Sequence, residues 1–463
     1  MARRTMILAT LFLVAASGEG RANPSWSSVN VEPGQDNVIL GLSAVDAQHA
    51  WALAARNDGQ STSIVGLRTT NGSTFQQMTL PQATNPMIPA MFFAIAFESA
   101  QTGYLAGMVD LASKIYRTTD GGANWTEVTT TGSLLSHFQI LLGGVVYGVA
   151  GSDFVYSADG QTFTTVAVPE PSANVAPAGV FMLNQSCGWL VGGWGYDQDN
   201  HPVPSDGAVW YTDDGGDSWS VIAESLPFHL SRAHFVAADL GFAVGNQGEQ
   251  GVIARTTDGG HTWTPIPLPD HPALPDVCIM PGACIDEAQP ISDMLDIKFW
   301  DAERGIALGL ACTSPPCDRG DSAASYLSSF LRTYDGGQTW VHDADYEPAM
   351  PDVNIVMMTL PGELAKQVTM AFADPNHGFL GGQHNMILRY EADQPEQPES
   401  GGLPSCDSTS GTDGGAPFGD GGSTANPDGT LSGCGCTSAT GGASRPALLL
   451  MVLLGLYLRR RQK

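Results

Sequence analysis

Arg-Thr-Thr-Asp-Gly-Gly-Ala-Asn-Trp at residues 117–125 decides the fold, because the chain says it again and again. The phrase returns as Arg-Thr-Thr-Asp-Gly-Gly-His-Thr-Trp at 255–263 and as Arg-Thr-Tyr-Asp-Gly-Gly-Gln-Thr-Trp at 332–340. Looser copies read Tyr-Thr-Asp-Asp-Gly-Gly-Asp-Ser-Trp at 211–219, Tyr-Ser-Ala-Asp-Gly-Gln-Thr-Phe at 156–163 and Arg-Thr-Thr-Asn-Gly at 68–72. Six copies spaced irregularly, about 40–75 residues apart, indicate an array of supersecondary units. Each copy has the chemistry of a turn. Asp-Gly between two strands is a hairpin signal. Asp can bond its own backbone two residues on, and Gly takes φ > 0 at no steric cost. One such bond contributes about 1 kcal/mol net, whereas the aromatic residue that follows is worth about 1.5–3 kcal/mol once buried. Asp120, Asp159, Asp214, Asp258 and Asp335, with Trp125, Trp219, Trp263 and Trp340, are therefore expected to be structural and not catalytic. Asn71 in the first copy keeps the turn without a carboxylate.

Upstream of each turn lies a second signature, a small or aromatic pair leading into Gly. Examples are Gly103-Tyr104-Leu105-Ala106-Gly107, Gly188-Trp189-Leu190-Val191-Gly192 and Gly241-Phe242-Ala243-Val244-Gly245. Seven copies occur, from His49-Ala50-Trp51 to Gly378-Phe379-Leu380-Gly381, each preceded by an apolar run such as 91–97, 233–237 or 295–300. One unit thus reads as four short strands, and four-stranded units repeated radially make a β-propeller. The expected fold is all-β, a seven-bladed propeller with four antiparallel strands per blade and no helix of note. The seventh unit lacks its Trp strand, while Ser25-Trp26-Ser27-Ser28-Val29 at the other end resembles Asn124-Trp125-Thr126-Glu127-Val128. The N-terminal strand is expected to complete the last blade and hide two edges that would otherwise pair with other chains.

The phrase Ser/Thr-x-Asp-x-Gly-x-Thr-Trp resembles the Asp-box, or BNR repeat, of sialidase-like, sortilin-like and photosystem II stability factor-like propellers. Thr118, Asp120, Gly122 and Trp125 match it, as do Thr256, Asp258, Gly260 and Trp263, and the resemblance spans roughly residues 25–393. A sialidase branch would imply an arginine cluster and an early Phe/Tyr-Arg-Ile-Pro signature. Neither is present: Arg68, Arg117, Arg255, Arg332 and Arg389 are third-strand repeats.

Residues 1–22, with Arg3 and Arg4 before the apolar run 6–16, read as a secretory signal. The ring is expected over 23–393. Residues 394–433 are Gly, Ser, Asp, Pro and Thr, too poor in apolar side chains for a core, and read as a flexible linker. Residues 434–463 carry Cys434 and Cys436, the apolar run 447–458 and a basic end. Twelve apolar residues fall short of the ~20 of a spanning helix. This order of elements resembles the MYXO-CTERM tails of myxobacterial surface proteins. The resemblance implies processing near Cys434 or Cys436 by a sorting protease, membrane attachment through the tail, and display on a Gram-negative cell surface or outer membrane. Residues 23–436 retain 12 basic and 46 acidic residues, net −34, a balance that repels nucleic acid.

Eight Cys in an exported chain suggest disulfides. Cys278 with Cys284, and Cys312 with Cys317, are the expected local bridges, a crossed pairing being the alternative; Cys187 is expected to be a buried free thiol. No cofactor or metal is expected.

In a four-stranded blade the first and third turns share one face. Asp-box turns are third turns, and the long segments 80–90, 197–206, 268–293, 311–325 and 344–366 then fall on the opposite face, where a rigid scaffold carries its binding loops. Candidate residues there are Asp197, Asp199, His201, Asp270, His271, Asp318, Arg319, Asp345, Tyr346 and Glu347. The expected function is a monomeric binding or scaffolding propeller for a surface protein or glycan, without chemistry of its own. A glycoside hydrolase of Asp-box type and an assembly factor resembling photosystem II stability factors are the alternatives.

Overall fold

The structure is a computed structural model that describes residues 24–31, 36–57, 62–85, 87–141, 144–171, 175–196, 202–280, 283–312, 326–342, 368–382, 386–392, 406 and 437–441. It is a seven-bladed β-propeller of four-stranded antiparallel blades, with no helix among the described residues. Blade 1 comprises Asp36–Ala44, Ala50–Asn57, Thr62–Thr69 and Thr74–Met78; blade 2, Met91–Phe97, Gly103–Val109, Ala112–Thr118 and Thr126–Thr131. Blade 3 follows with Leu135–Leu141, Val145–Ala150, Asp153–Ser157 and Thr164–Ala167; blade 4 with Ala176–Met182, Gly188–Tyr196, Pro202–Thr212 and Ser220–Leu226. Blade 5 is His229–Phe235, Gly241–Gln247, Gln250–Thr256 and Thr264–Ile266; blade 6 is Ile291–Phe299, Gly305–Cys312, Tyr326–Thr333 and Val341–His342. Blade 7 takes Thr369–Asp374, His377–Gly381 and Ile387–Ala392 from its own stretch and Pro24–Ser28 from the N-terminus.

The ring closes as the count of seven against six requires. Pro24–Ser28 pairs antiparallel with Ile387–Ala392, placing Trp26 opposite Tyr390. Asn30–Val31 then runs parallel along the outer strand of blade 1, so the segment covers two edges. Trp26 takes the place of an Asp-box Trp. It stands edge-on to Phe372 at 6.2 Å and 85°, as Trp125 does to Phe97 (6.0 Å, 79°) and Trp263 to Phe235 (5.9 Å, 87°).

The core lies between blades. The second-strand aromatic of one blade stacks on the first-strand Phe of the next: Trp51 on Phe97 and Trp189 on Phe235, both at 3.6 Å, and Phe242 on Phe299 at 4.2 Å. The first-strand Phe rings account for the first glycine of the second signature, and the backbone of the first strand for the second. A Cβ on Gly103, Gly241 or Gly378 would lie 2.5, 2.4 or 2.5 Å from the ring of Phe97, Phe235 or Phe372. A Cβ on Gly107, Gly192 or Gly245 would meet the carbonyl oxygen of Met91, Ala176 or His229 at 2.2, 2.2 or 2.0 Å.

Three features depart from the sequence expectations. Cys187 is not a free thiol: it is bridged to Cys406, with Cα atoms 6.0 Å apart. Spacing suggested only near neighbours, and this partner is 219 residues away. The linker is thereby tied to the first turn of blade 4, and the carbonyl of Cys187 in that turn accepts from the N–H of Leu183. The second departure is a short strand within the tail. Thr437–Gly441 pairs antiparallel with the innermost strands of blades 1 and 3, joining both blades into one ten-stranded sheet. Third, the long link between blades 5 and 6 folds into a hairpin, Leu274–Met280 with Ala283–Ile285, whose register sets Cys278 opposite Cys284. Cys312 is in a disulfide, and Cys317 lies outside the described residues.

The Cys187 bridge has a direct check. A single protease cut between residues 188 and 405 should leave two fragments that co-migrate on a non-reducing gel and separate with reductant. In Cys406→Ser they should separate in both lanes.

Candidate functional site

Each carboxylate of the repeated Asp-Gly turns is used up by its own turn. Asp120 Oδ1 accepts from Thr118 Oγ1 (2.8 Å) and the Asn124 N–H (2.8 Å), while its Oδ2 accepts from Asn124 Nδ2 (2.8 Å). Asp214, Asp258 and Asp335 repeat the arrangement with Ser218, Thr262 and Thr339. The turn is fastened to its blade by the next glycine: the N–H of Gly121 donates to Gln101 O at 2.8 Å, and that of Gly259 to Asp239 O at 3.0 Å. First and third turns therefore share a face. The preceding blade reaches over as well. Trp51 Nε1 and Arg68 Nη1 both donate to Gly121 O at 3.0 Å, and Trp189 Nε1 donates to Gly259 O at 2.8 Å. The repeated arginine and aromatic are thus blade-to-blade latches.

These bonds favour the ionised carboxylate. The Asn124 side chain and backbone hold Asp120 down to about 2, the Thr162 and Gln161 N–H groups hold Asp159 at about 2, and the Ser218 hydroxyl does the same for Asp214. Burial raises Asp258 and Asp335, but the Thr262 and Thr339 hydroxyls and N–H groups outweigh it and both end below the usual value. A carboxylate lowered in the folded state contributes stability above its unfolded pKa and loses it as pH falls through the folded one. The ring should therefore keep its neutral-pH melting temperature down to about pH 4 and lose it steeply towards pH 2. Asn71 Oδ1 already accepts from the N–H groups of Ser73 and Thr74 at 2.9 and 3.0 Å, so Asp120→Asn should preserve the turn and flatten that acid limb, read from melting curves between pH 2 and 6.

The ring centre holds the other concentration of titratable groups. An innermost strand has one row of N–H and C=O groups with no neighbour in its own sheet. Side chains from the adjacent blade cap that row. Gln139 of blade 3 accepts from the N–H of Met182 (2.5 Å) and donates to its carbonyl (3.0 Å). His137 Nδ1 accepts from the N–H of Val180 at 3.3 Å. Arg232 of blade 5 donates to Ala178 O on blade 4 at 3.0 Å, and Lys298 of blade 6 to Phe372 O on blade 7 at 2.5 Å. His137, Gln139, Arg232, His234, Asp296 and Lys298 border a cavity of about 20 Å3, room for one water. Burial, reinforced by Arg232, holds His137 well below the usual histidine value; burial and Lys298 bring His234 to about 3, so both rings are neutral at pH 7.

Of the residues expected on the opposite face, Asp270 is exposed. His271 is fully buried, not presented to solvent: its ring donates from Nδ1 to Pro272 O at 2.8 Å and stands edge-on to His342. Asp197, Asp199, His201, Asp318, Arg319, Asp345, Tyr346 and Glu347 lie outside the described residues, as do Cys434 and Cys436. The sequence reading passed over the ring centre. Its trace was there: Arg232-x-His234, Asp296-x-Lys298 and His137-x-Gln139 each place two polar residues on one face of a first strand that otherwise reads as an apolar run.

No family model matches this chain, and no curated protein matches it. Among solved structures, YCF48 bound to D1 peptide is 17% identical, with 80% of this chain and 97% of that chain covered and a TM-score of 0.49. A PL25 ulvan lyase is 11% identical over 80% of this chain and 96% of its own, TM-score 0.45. The GH74 enzyme of Niastella koreensis is 14% identical over 74% and 62%, TM-score 0.39. No functional assignment rests on these likenesses.

Proposed function

We propose that this chain is exported, displayed on the cell surface, and works as a binding or scaffolding propeller for a protein or glycan. Residues 1–22 act as the signal, and 434–463 as a MYXO-CTERM-like tail handled by a sorting protease; the repeats are Asp-boxes of the BNR kind. One observation supports a binding role over hydrolysis. Asp46, Asp110, Asp120, Asp159, Asp214, Asp258 and Asp335 are each displaced downward. A glycosidase needs a carboxylic acid raised towards neutrality to protonate the leaving oxygen. The net charge of −34 over residues 23–436 argues against a nucleic-acid partner. Glycan-array binding combined with a reporter-glycoside screen tests the reading. Saturable binding without turnover is expected. Turnover abolished by Asp270→Asn or another loop carboxylate substitution would overturn it in favour of the hydrolase.

A further inference from the structure

The inner strand edges at the ring centre are not all met in the same way. Side chains cap the inner edges of blades 4 and 7: Gln139, His137 and Arg232 serve blade 4, and Lys298 serves blade 7. Residues 37–43 of blade 1, Asn-Val-Ile-Leu-Gly-Leu-Ser, which follow Asp36, and residues 91–97 of blade 2, Met-Phe-Phe-Ala-Ile-Ala-Phe, carry no charged side chain. Ser43 of blade 1 reaches blade 2, its Oγ accepting from the N–H of Phe97 at 2.9 Å, and the N–H of Ile39 donates to Gly382 O beside blade 7 at 2.9 Å. Thr437–Gly441 lies between the inner strands of blades 1 and 3. Thr437, Ser438 and Ala439 pair with Ile140, Gln139 and Phe138 of blade 3, and Thr440 and Gly441 with Leu42 and Gly41 of blade 1. The two inner strands run towards their first turns, on the Asp-box face, so the antiparallel insert enters from that face and runs to the other.

We propose that the edges of blades 1 and 3 form a binding site for an extended peptide of small side chains, which the chain fills with its own residues 437–441. An incoming peptide binds by displacing them, or by taking the edges they leave once the tail is processed near Cys434 or Cys436. Strand addition takes its affinity from main-chain hydrogen bonds and its selectivity from what the flanking walls admit. The resident sequence, Thr-Ser-Ala-Thr-Gly, has no large side chain. Its hold is short: three residues on one neighbour and two on the other. Its advantage is the tether. Residues 407–436 join it to Cys406, which the Cys187 bridge fixes at the Asp-box face. A linker of this length and Gly-, Ser- and Asp-rich composition supplies an effective concentration on the order of millimolar. Reducing the bridge lengthens the free tether from 407–436 to 393–436, and with a −3/2 power dependence this lowers that concentration only about twofold. Displacement, not redox state, is therefore the control.

The test uses the full chain and does not depend on the surface ligand, so its failure is distinguishable from that of the proposed function. In hydrogen–deuterium exchange, amides of 437–441 should exchange at least tenfold more slowly than those of a free peptide of the same sequence. Ala439→Pro places a non-donor in a strand paired on both sides and should abolish that protection. A fluorescent peptide Thr-Ser-Ala-Thr-Gly-Gly-Ala-Ser, copying 437–444, should bind this variant at least tenfold more tightly than the parent, and a proline version of the peptide should bind neither. Free-peptide exchange rates at 437–441 in the parent, or equal peptide binding by parent and variant, would overturn the proposal. If Ala439→Pro does not fold, the exchange rates of the parent decide alone.

Discussion

Deleting residues 24–31 should abolish cooperative melting of the ring and drive the protein into aggregates. The segment supplies the outer strand of blade 7 through five paired positions and an added strand on blade 1. Without it, both Ile387–Ala392 and Thr74–Met78 become open edges, the kind that recruit other chains. Trp26 carries much of the packing, lying 5.5 Å from Phe330 and 5.1 Å from Tyr390 between ring centroids. Trp26→Ala alone should cost about 3 kcal/mol, the low end for tryptophan because the side chain is only half-buried. At about 2 °C per kcal/mol for a domain this large, Tm should fall by about 6 °C. The exposed neighbour Ser27→Ala serves as control and should melt like the parent. A deletion mutant that melts as the parent does would remove the N-terminal closure from the account of stability.

Gly245→Ala should be strongly destabilising. Its Cβ would stand 2.0 Å from the carbonyl oxygen of His229, a backbone atom on the adjoining strand that cannot rotate away. The strands must separate at the point where their register already shifts, between Leu230 and Arg232. Overpacking of this kind costs about 3 kcal/mol. Gly241→Ala should cost less, about 1–3 kcal/mol, because its obstacle is the ring of Phe235, a side chain. That ring would leave its stack on Trp189 and its edge contact with Trp263. Gly132→Ala, with nothing within 4 Å of the new Cβ, should be neutral. If Gly245→Ala and Gly132→Ala melt together in parallel scans, the close-approach reading of the second signature is wrong.

The architecture was readable because its signals are local. Asp120 and Gly122 specify a turn within a few residues, and Phe-x5-Gly, as in Phe97 to Gly103 and Phe235 to Gly241, spans only one hairpin. Even the closure by Trp26 could be inferred, since a missing strand at one end matched a spare one at the other. The site was less readable. His271 looked like a loop histidine beside Asp270, yet a pair of backbone bonds with Gln289 draws it inside. The first strand of blade 5, His229–Phe235, looked apolar enough for a core, and the positions of Arg232 and His234 were overlooked.

The sequence by itself thus determined the number of blades, the strands of each, the face marked by the Asp turns and the origin of the closing strand. All of these follow from turn chemistry and side-chain periodicity over a few residues, repeated seven times. Only the tertiary structure decided that Cys187 bonds Cys406, that Gln139, Arg232 and Lys298 cap the edges of neighbouring blades, and that Thr437–Gly441 lies in the ring centre. These contacts join residues far apart in the chain. Each end looks the same in sequence whether it meets water or a free backbone edge, and only the closed ring brings those edges together.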